Sequence, residues 1–294
     1  MSTVNEQLQP LIFSEFDPWY GEAPAGFDVS FLGQRTDVSF NTGWADSERT
    51  VNRMAWPPWP TLSEETFEWI ALFRSILEAR QTFTMVELGA GYGRWLVAAA
   101  CAVRRRRPDL SLRLMGVEAE PTHFRWLEKH FLDNDLKPKD HQLVEGAVGT
   151  ENGKALLTKA ADPAAVYGQR LVESTEEAKS HGAGDTFVVN TYALSKLLDG
   201  FKIVDLIDID IQGAELDVIS AAPEDLNRKV KRIHIGTHSH DIESGLRKLF
   251  NRLGWRCESD FSCQERCPTG YGYIDFQDGV QTWANPKFTD APTS

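Results

Sequence analysis

Met85-Val-Glu-Leu-Gly-Ala-Gly-Tyr-Gly-Arg94 decides the fold: an apolar run carries one acid, Glu87, and ends in glycines at alternate positions, Gly89, Gly91 and Gly93. A strand buried in a parallel sheet is apolar throughout, and glycines where it turns into a helix let backbone come close to a ligand. The stretch therefore reads as strand, tight turn and helix start around a nucleotide-sized ligand. Dinucleotide-binding turns space their glycines G-x-G-x-x-G, whereas here they lie two apart and Arg94 and Trp95 follow directly.

Outward from this turn, strand and helix patterns alternate. A helix is predicted over 94–107, a strand over Ser111–Val117 ending at Glu118, and a helix from Pro121 bearing Phe124, Leu127 and Phe131. A third strand is expected over Gln142–Val148, then Thr186–Val189, a short helix at Leu194–Leu198, and a fourth strand at Ile203–Ile209. A helix over Gly213–Ser220, a fifth strand at Val230–Ile235 and a helix with Ile242, Leu246, Leu249 and Phe250 complete the repeat. Repeated βαβ units predict a doubly wound, mostly parallel α/β sheet. The end breaks the alternation: Trp255–Ser259 and Tyr271–Ala284 are strand-like, Gln277-Asp-Gly279 is a hairpin-turn signal, and no helix intervenes. An antiparallel hairpin should close the sheet.

The first 60 residues differ from the rest, carrying ten of the chain's 31 aromatics among Pro, Gly and Asn with little helical periodicity. They read as an arm or cap (1–60) on a main domain (61–294), its aromatics packing on that domain or flooring a groove for an acceptor with apolar faces. Thr61-Leu-Ser-Glu64 reads as a capping box opening an amphipathic helix with Phe67, Ile70, Phe73 and Ile76 or Leu77 on one face. Ala160–Gly184 is polar and aperiodic, which leaves a lid over the site or a disordered loop as its readings.

Composition narrows the partners. Lys and Arg number 31 against 43 Asp and Glu, a net charge of −12, which opposes attraction to nucleic acid or anionic membranes. The basic run Arg104–Arg107 precedes Pro108 and suits a solvated last helical turn. The first residues lack a basic and apolar leader, and the longest apolar run, Trp95–Val103, is too short to span a bilayer. A cytoplasmic protein with no membrane partner is expected. Cys101 sits in an apolar helix, and Cys257, Cys263 and Cys267, spaced C-x5-C-x3-C, match no standard zinc pattern.

Ligands of doubly wound sheets bind beyond the carboxyl ends of the strands. Glu118, at the end of the second strand, can accept both ribose hydroxyls of a nucleoside. Glu145-Gly-Ala-Val148 offers a small apolar floor at Ala147 that suits a base. Val204-Asp-Leu-Ile-Asp-Ile-Asp-Ile-Gln-Gly-Ala-Glu-Leu216 puts Asp208 and Asp210 two apart in an apolar run, hence on one face. Each should meet a cation, a donor or a metal, because buried carboxylates without partners are costly. Gly213 permits a tight turn into the next helix, where Glu215 suits the helix dipole.

The alternate glycines resemble motif I of Rossmann-like S-adenosylmethionine methyltransferases. Together with Asp208-Ile-Asp-Ile-Gln-Gly-Ala-Glu-Leu216 and Ile233-His-Ile-Gly-Thr-His-Ser239, the chain resembles the FkbM-type methyltransferases from about Phe83 to Ala284. That resemblance implies a Rossmann-like class I methyltransferase fold and an S-adenosylmethionine-dependent enzyme, often an O-methyltransferase of sugars or natural-product hydroxyls. It places Glu87, Gly89, Gly91 and Gly93 at the methionine part, Glu118 at the ribose and Asp210 at the reaction end. Gln212 stands where the family commonly has Glu, and the aromatic arm lies outside the family core.

Methyl transfer is an in-line displacement governed by alignment of donor and acceptor. A hydroxyl acceptor must also lose its proton, for which His238 or His240 can serve as general base. Asp210 can take that role instead, or join Asp208 in holding a Mg²⁺ that acidifies the hydroxyl. The expected acceptor is a saccharide or small molecule. N-methylation of a small molecule or peptide, and a non-catalytic interaction module, are the alternatives.

Overall fold

The computed structural model describes residues 10–44, 47–172, 174–180 and 185–289. Met1–Gln9, on which the leader reading rests, and His181-Gly-Ala-Gly184 lie outside these. Seven strands form the central sheet: β1 (Thr82–Leu88), β2 (Ser111–Glu118), β3 (Gln142–Glu145), β4 (Leu206–Ile209), β5 (Arg232–Thr237), β6 (Arg256–Phe261) and β7 (Gly279–Ala284). Their spatial order is β6-β7-β5-β4-β1-β2-β3. The pairs from β5 to β3 are parallel, and β7 runs antiparallel to both β5 and β6.

Strand alternation divides the core into two layers. Phe83 and Met85 of β1 face α1 (Thr66–Glu78) and α2 (Arg94–Arg106), where Trp69, Phe73, Leu96 and Ala99 pack. Val86 and Leu88 face the other side, against Val218 and Ile219 of α4 (Glu215–Ser220) and Leu246 and Phe250 of α6 (His240–Leu253). Leu127 and Phe131 of α3 (Pro121–Asp133) join the first layer. The β4–β5 connection also holds α5 (Pro223–Lys229), which the sequence reading passed over although Pro223 at its first turn and Glu224 and Asp225 behind it suit a helix start.

Several expectations needed correction. The third predicted strand breaks at Gly146: Ala147–Gly149 leaves the main sheet and joins a four-stranded one with Gly153–Thr158, Leu171–Val172 and Thr186–Ala193. A Cβ on Gly146 would stand 2.7 Å from the Tyr192 ring and 2.9 Å from the Asn190 carbonyl, so only glycine lets the chain cross that strand so closely. Gln277-Asp-Gly279 is no hairpin turn, because Gly272–Phe276 pairs with Glu265–Thr269 and β7 pairs with β6. The antiparallel closure is therefore β6–β7, with a small hairpin inserted between them. Nor does Thr61–Glu64 form a capping box: α1 starts at Thr66, whose Oγ1 accepts the Ser63 N–H at 3.0 Å, and Glu64 accepts the Gln277 N–H at 2.7 Å.

The aromatic arm lies on the first layer. Phe16 stacks on Phe73 with centroids 3.9 Å apart, and Phe31 meets Trp69 edge-on at 5.0 Å. Arg105 donates to the carbonyls of Asp17 and Pro18 at 2.8 Å each, and Arg106 pairs with Glu15 at 3.0 Å. The basic run is thus a clasp on the arm and not a merely solvated turn.

Arg232 of β5, 1% exposed, donates to Glu258 at 2.8 Å, Glu78 at 3.0 Å and Ser75 at 2.9 Å. Arg232→Ala removes the partner of a buried acid and opens a void, so a loss of about 3 kcal/mol is expected. Urea unfolding should show a lower midpoint with unchanged slope; an unchanged midpoint would contradict the assignment.

Candidate active site

A cavity of about 650 Å³ opens at the carboxyl ends of β1, β2 and β4, within the range that holds small ligands. The three glycines of the first turn have separate tasks. Gly89, at φ +81°, lies so close to the end of β4 that a Cβ would stand 1.8 Å from the Asp210 carbonyl oxygen. Gly93, at φ +75°, starts α2 and would place a Cβ 2.2 Å from Leu127. It is not among the cavity-lining residues, so the resemblance-implied contact with the methionine part does not follow from its position. Gly91, at φ +54°, faces the cavity, its nearest neighbour in the Cβ direction being the Tyr167 ring at 3.5 Å.

Two acids organise this turn. Glu87 accepts the N–H groups of Trp95 at 3.3 Å and Leu96 at 3.1 Å, capping α2 from the strand. Burial first, and then Asp208, push its carboxyl well above the usual range. Glu118 accepts from Gly91 and Glu120 at 2.7 Å each, and burial pushes it up to about 7. Both carboxylates line the cavity, and Ala147 does so from the second sheet.

Asp208 and Asp210 share a face but not their partners. The Asp208 carboxyl lies with Glu68 and His234, and Asp210 lies with Glu215 and His238. The joint Mg²⁺ clamp expected of the pair is therefore divided between two groups. Asp210, half exposed, accepts from Gln212 Nε2 at 2.8 Å. Desolvation by the cavity walls, with Glu215 and Asp278, raises its carboxyl despite His238.

Glu215 is fully buried, and its Oε1 accepts the Ile211 and Gly213 N–H groups and pairs with His238 Nδ1 at 2.9 Å. It thereby sets the imidazole orientation. His238 Nε2 lies 3.4 Å from Asp210 and 3.9 Å from Asp278 and has no hydrogen-bond partner among the described residues. Burial works to lower the His238 pKa, but Glu215, Asp210 and Asp278 together hold it above the ordinary value. Glu215 was read from the sequence only as a dipole charge; its place between Ala214 and Leu216, beside a tight glycine turn, was the available signal of burial. His240 is 61% exposed and pairs with Glu243 at 3.3 Å; neither it nor His238 lines the cavity, but His238 lies against Asp210, which does. Helix α6 begins at His240 and carries it away from the strand end.

The roof comes from segments whose role the sequence left open. Tyr167 donates to the Phe40 carbonyl at 2.5 Å and stacks on His123 with centroids 4.2 Å apart. His123 Nε2 lies 2.9 Å from the Pro163 carbonyl, and the Thr42 N–H donates to Ala164 at 3.1 Å. The 163–171 stretch is thus pinned to the arm and to α3 over the cavity, while Trp44 meets Tyr92 edge-on at 5.9 Å beside it.

The Methyltransferase FkbM domain matches residues 88–257. A protein of Jannaschia sp. (strain CCS1), provisionally named a methyltransferase, is 32% identical over 196 residues, 66% of this chain and 69% of that one. Solved structures are more remote. Methyltransferase FkbM from Methylobacillus flagellatus KT is 12% identical, with TM-score 0.42 over 76% of this chain and 55% of that one. Precorrin-6y C5,15-methyltransferase from Geobacter metallireducens GS-15 is 14% identical, with TM-score 0.42 over 73% and 85%. No helix among the described residues is long and apolar enough to cross a membrane. Its sheet is that of a Rossmann-like class I methyltransferase, and with 170 of its residues inside the matched domain the chain belongs to the FkbM family of methyltransferases.

Proposed function

We propose that the protein transfers a methyl group from S-adenosylmethionine to a hydroxyl of a saccharide or small natural-product acceptor. The observation that carries this reading is His238, oriented by Glu215 through Nδ1, whose buried and unpartnered Nε2 lies 3.4 Å from Asp210, a residue of the cavity lining. That arrangement suits removal of a hydroxyl proton. The cofactor fits the cradle: Gly91 leaves room that a side chain would fill, Glu118 keeps lone pairs for the ribose hydroxyls, and Ala147 offers the adenine a small apolar floor. When bound, it supplies an electrophilic sulfonium methyl. The chain's own residues then align the acceptor, exclude water beneath the Tyr167 roof and take the proton at His238 Nε2, with Asp210 stabilising the imidazolium.

A small acceptor, not a nucleic acid, suits a chain of charge −12 whose cavity is lined by Glu65, Glu68, Asp208, Asp210 and Asp278. The four free cysteines suit a reducing cytoplasm. We further assign residues 1–60 as a cap on a methyltransferase domain spanning 61–294, with Asn41 and Trp44 its contribution to the cavity.

Calorimetric titration with S-adenosylhomocysteine, beside NAD as control, tests the reading. Saturable binding of the former alone is expected, followed by turnover in a screen of sugars and natural-product alcohols. Turnover only on amines would replace O-methylation by N-methylation, and no binding would leave a non-catalytic module. The ionised Glu118 is the form that accepts ribose hydroxyls, and its pKa is raised to about 7. Affinity should therefore be level above about pH 8 and fall by up to about tenfold per unit below 7. Glu118→Gln should bind more weakly and flatten the profile; an unchanged profile would remove Glu118 from the ribose site.

A further inference from the structure

Beneath the cavity lies a second polar group that the methyl-transfer reading does not use. In register across four neighbouring strands, Glu87 of β1, Asp208 of β4, His234 of β5 and Thr282 of β7 form a row on the α1 side of the sheet. Glu68 of α1 meets this row, so that one donor atom each from Glu68, Asp208 and His234 lies within 4.8 Å of the others. The donors of a six-coordinate ion with bonds of about 2.1 Å stand roughly 3 to 4 Å apart, a small closure from the arrangement present.

Among the described residues, most of the buried acids have protein partners for at least one carboxyl oxygen; Asp208 does not, nor does Glu68 beside it, and Glu215 keeps one oxygen unpartnered. Glu87 and Glu118 accept backbone N–H groups, and Glu215 accepts two and pairs with His238. Asp205, also on the β4 side, accepts from Thr84 at 2.8 Å and pairs with Lys231 at 2.7 Å. Asp208 is 6% exposed and lines the cavity, and among the described residues no hydrogen bond or ion pair reaches its carboxyl oxygens. Arg94, the cavity's guanidinium, is engaged by both oxygens of Glu65. A carboxylate in that position is stabilised by a proton or by a cation from outside the chain, and Glu68 and His234 beside it supply the further donors a cation requires.

His234 is arranged to help. It is 1% exposed and its Nδ1 lies 2.8 Å from Thr282 Oγ1. With Nδ1–H donating to that hydroxyl, Nε2 carries the lone pair a metal requires, and Thr282 fixes the ring. Glu68 and Asp208 both line the cavity, which provides an entry path and leaves coordination positions open toward it.

We propose that Glu68, Asp208 and His234 bind one divalent first-row transition-metal ion at the base of the cavity. An imidazole nitrogen beside two carboxylates favours the Mn²⁺ to Zn²⁺ series over Mg²⁺ or Ca²⁺, which prefer all-oxygen sets. The open positions accept a hydroxyl or carboxylate oxygen of a ligand in the cavity. The site stands independently of the acceptor's identity, because its donors are set by the sheet register and α1.

The test is equilibrium dialysis of the full-length, chelator-stripped protein against MnCl2, ZnCl2 and MgCl2, without cofactor. The expected result is one Mn²⁺ or Zn²⁺ per chain and weaker retention of Mg²⁺. Asp208→Asn and His234→Gln should each weaken binding at least about tenfold, whereas His238→Gln and Cys263→Ser, in the two other candidate groups, should leave it unchanged. Glu68→Gln, on a helix surface and not in the sheet, guards against misfolding of the strand variants and should also weaken binding. Cobalt loaded into the unmodified protein should show no thiolate-to-metal charge-transfer band, since Cys263 belongs to a different group with His240 and Glu243. No retained metal, retention lost with His238→Gln or Cys263→Ser instead, or a thiolate band would each overturn the proposal.

Discussion

His238→Ala is expected to lower methyl transfer by about 10²- to 10⁴-fold, the usual contribution of a positioned general base, with S-adenosylhomocysteine affinity nearly unchanged. His238 is held by Glu215 and does not line the cofactor cradle at Gly91 and Glu118, so its loss should fall on kcat. The pH profile gives a second readout. The neutral imidazole is the active form, and three carboxylates hold its pKa above the ordinary value against the effect of burial. The acid limb of kcat should therefore lie above the ordinary histidine range, with activity rising as pH rises through it. Glu215→Gln removes one of those charges and should move the limb to lower pH while reducing kcat through loss of the ring's orientation. Full activity in His238→Ala would mean that the acceptor proton leaves by another route.

The second large effect separates glycines that look alike in sequence. Gly89→Ala should destabilise the fold by more than about 3 kcal/mol, because the added Cβ meets the Asp210 carbonyl oxygen at 1.8 Å and neither backbone can move without breaking the β1–β4 pairing. The left-handed φ of +81° adds about 1–2 kcal/mol. At Gly91 the same substitution meets only the Tyr167 ring at 3.5 Å, so Gly91→Val should fold with a modest loss yet weaken S-adenosylhomocysteine at least about 100-fold, roughly 2.7 kcal/mol. Thermal melts and calorimetry on both variants make the distinction. Normal ligand binding by Gly91→Val would remove this turn from the cofactor site.

The predicted transition metal and the proposed base occupy neighbouring but distinct groups, which bears on how Gln212 is read. Its backbone takes φ +55° and its amide donates to Asp210. A glutamate there, as the related family commonly has, would set a carboxylate against Asp210 in place of a donor. Gln212 thus leaves Asp210 free to support a charged His238.

How much of this was legible in the chain follows from what local sequence encodes. Alternation of apolar residues, the glycine turn after β1 and the missing helix before β7 depend on neighbours close in sequence, so the parallel sheet and its antiparallel closure could be read directly. The carboxylates at strand ends, Glu87, Glu118 and Asp210, were found for the same reason: a charge in an apolar strand stands out. Roles that depend on the far side of a contact were not legible. Gly89 and Gly93 answer to Asp210 and Leu127, remote in sequence, and Asp208 parted from Asp210 because α1 and β5 bring Glu68 and His234 to one and not the other. His238 and His240 are two residues apart, yet a helix start between them turns one toward Glu215 and the other to solvent. The sequence by itself determined the apolar strands of the parallel sheet and the turn after β1; the second sheet, the burial of Glu215 and the pairing of Asp208 and Asp210 with different partners were decided by the order of the strands and the crossing of the helices, because those contacts close only when the sheet is assembled.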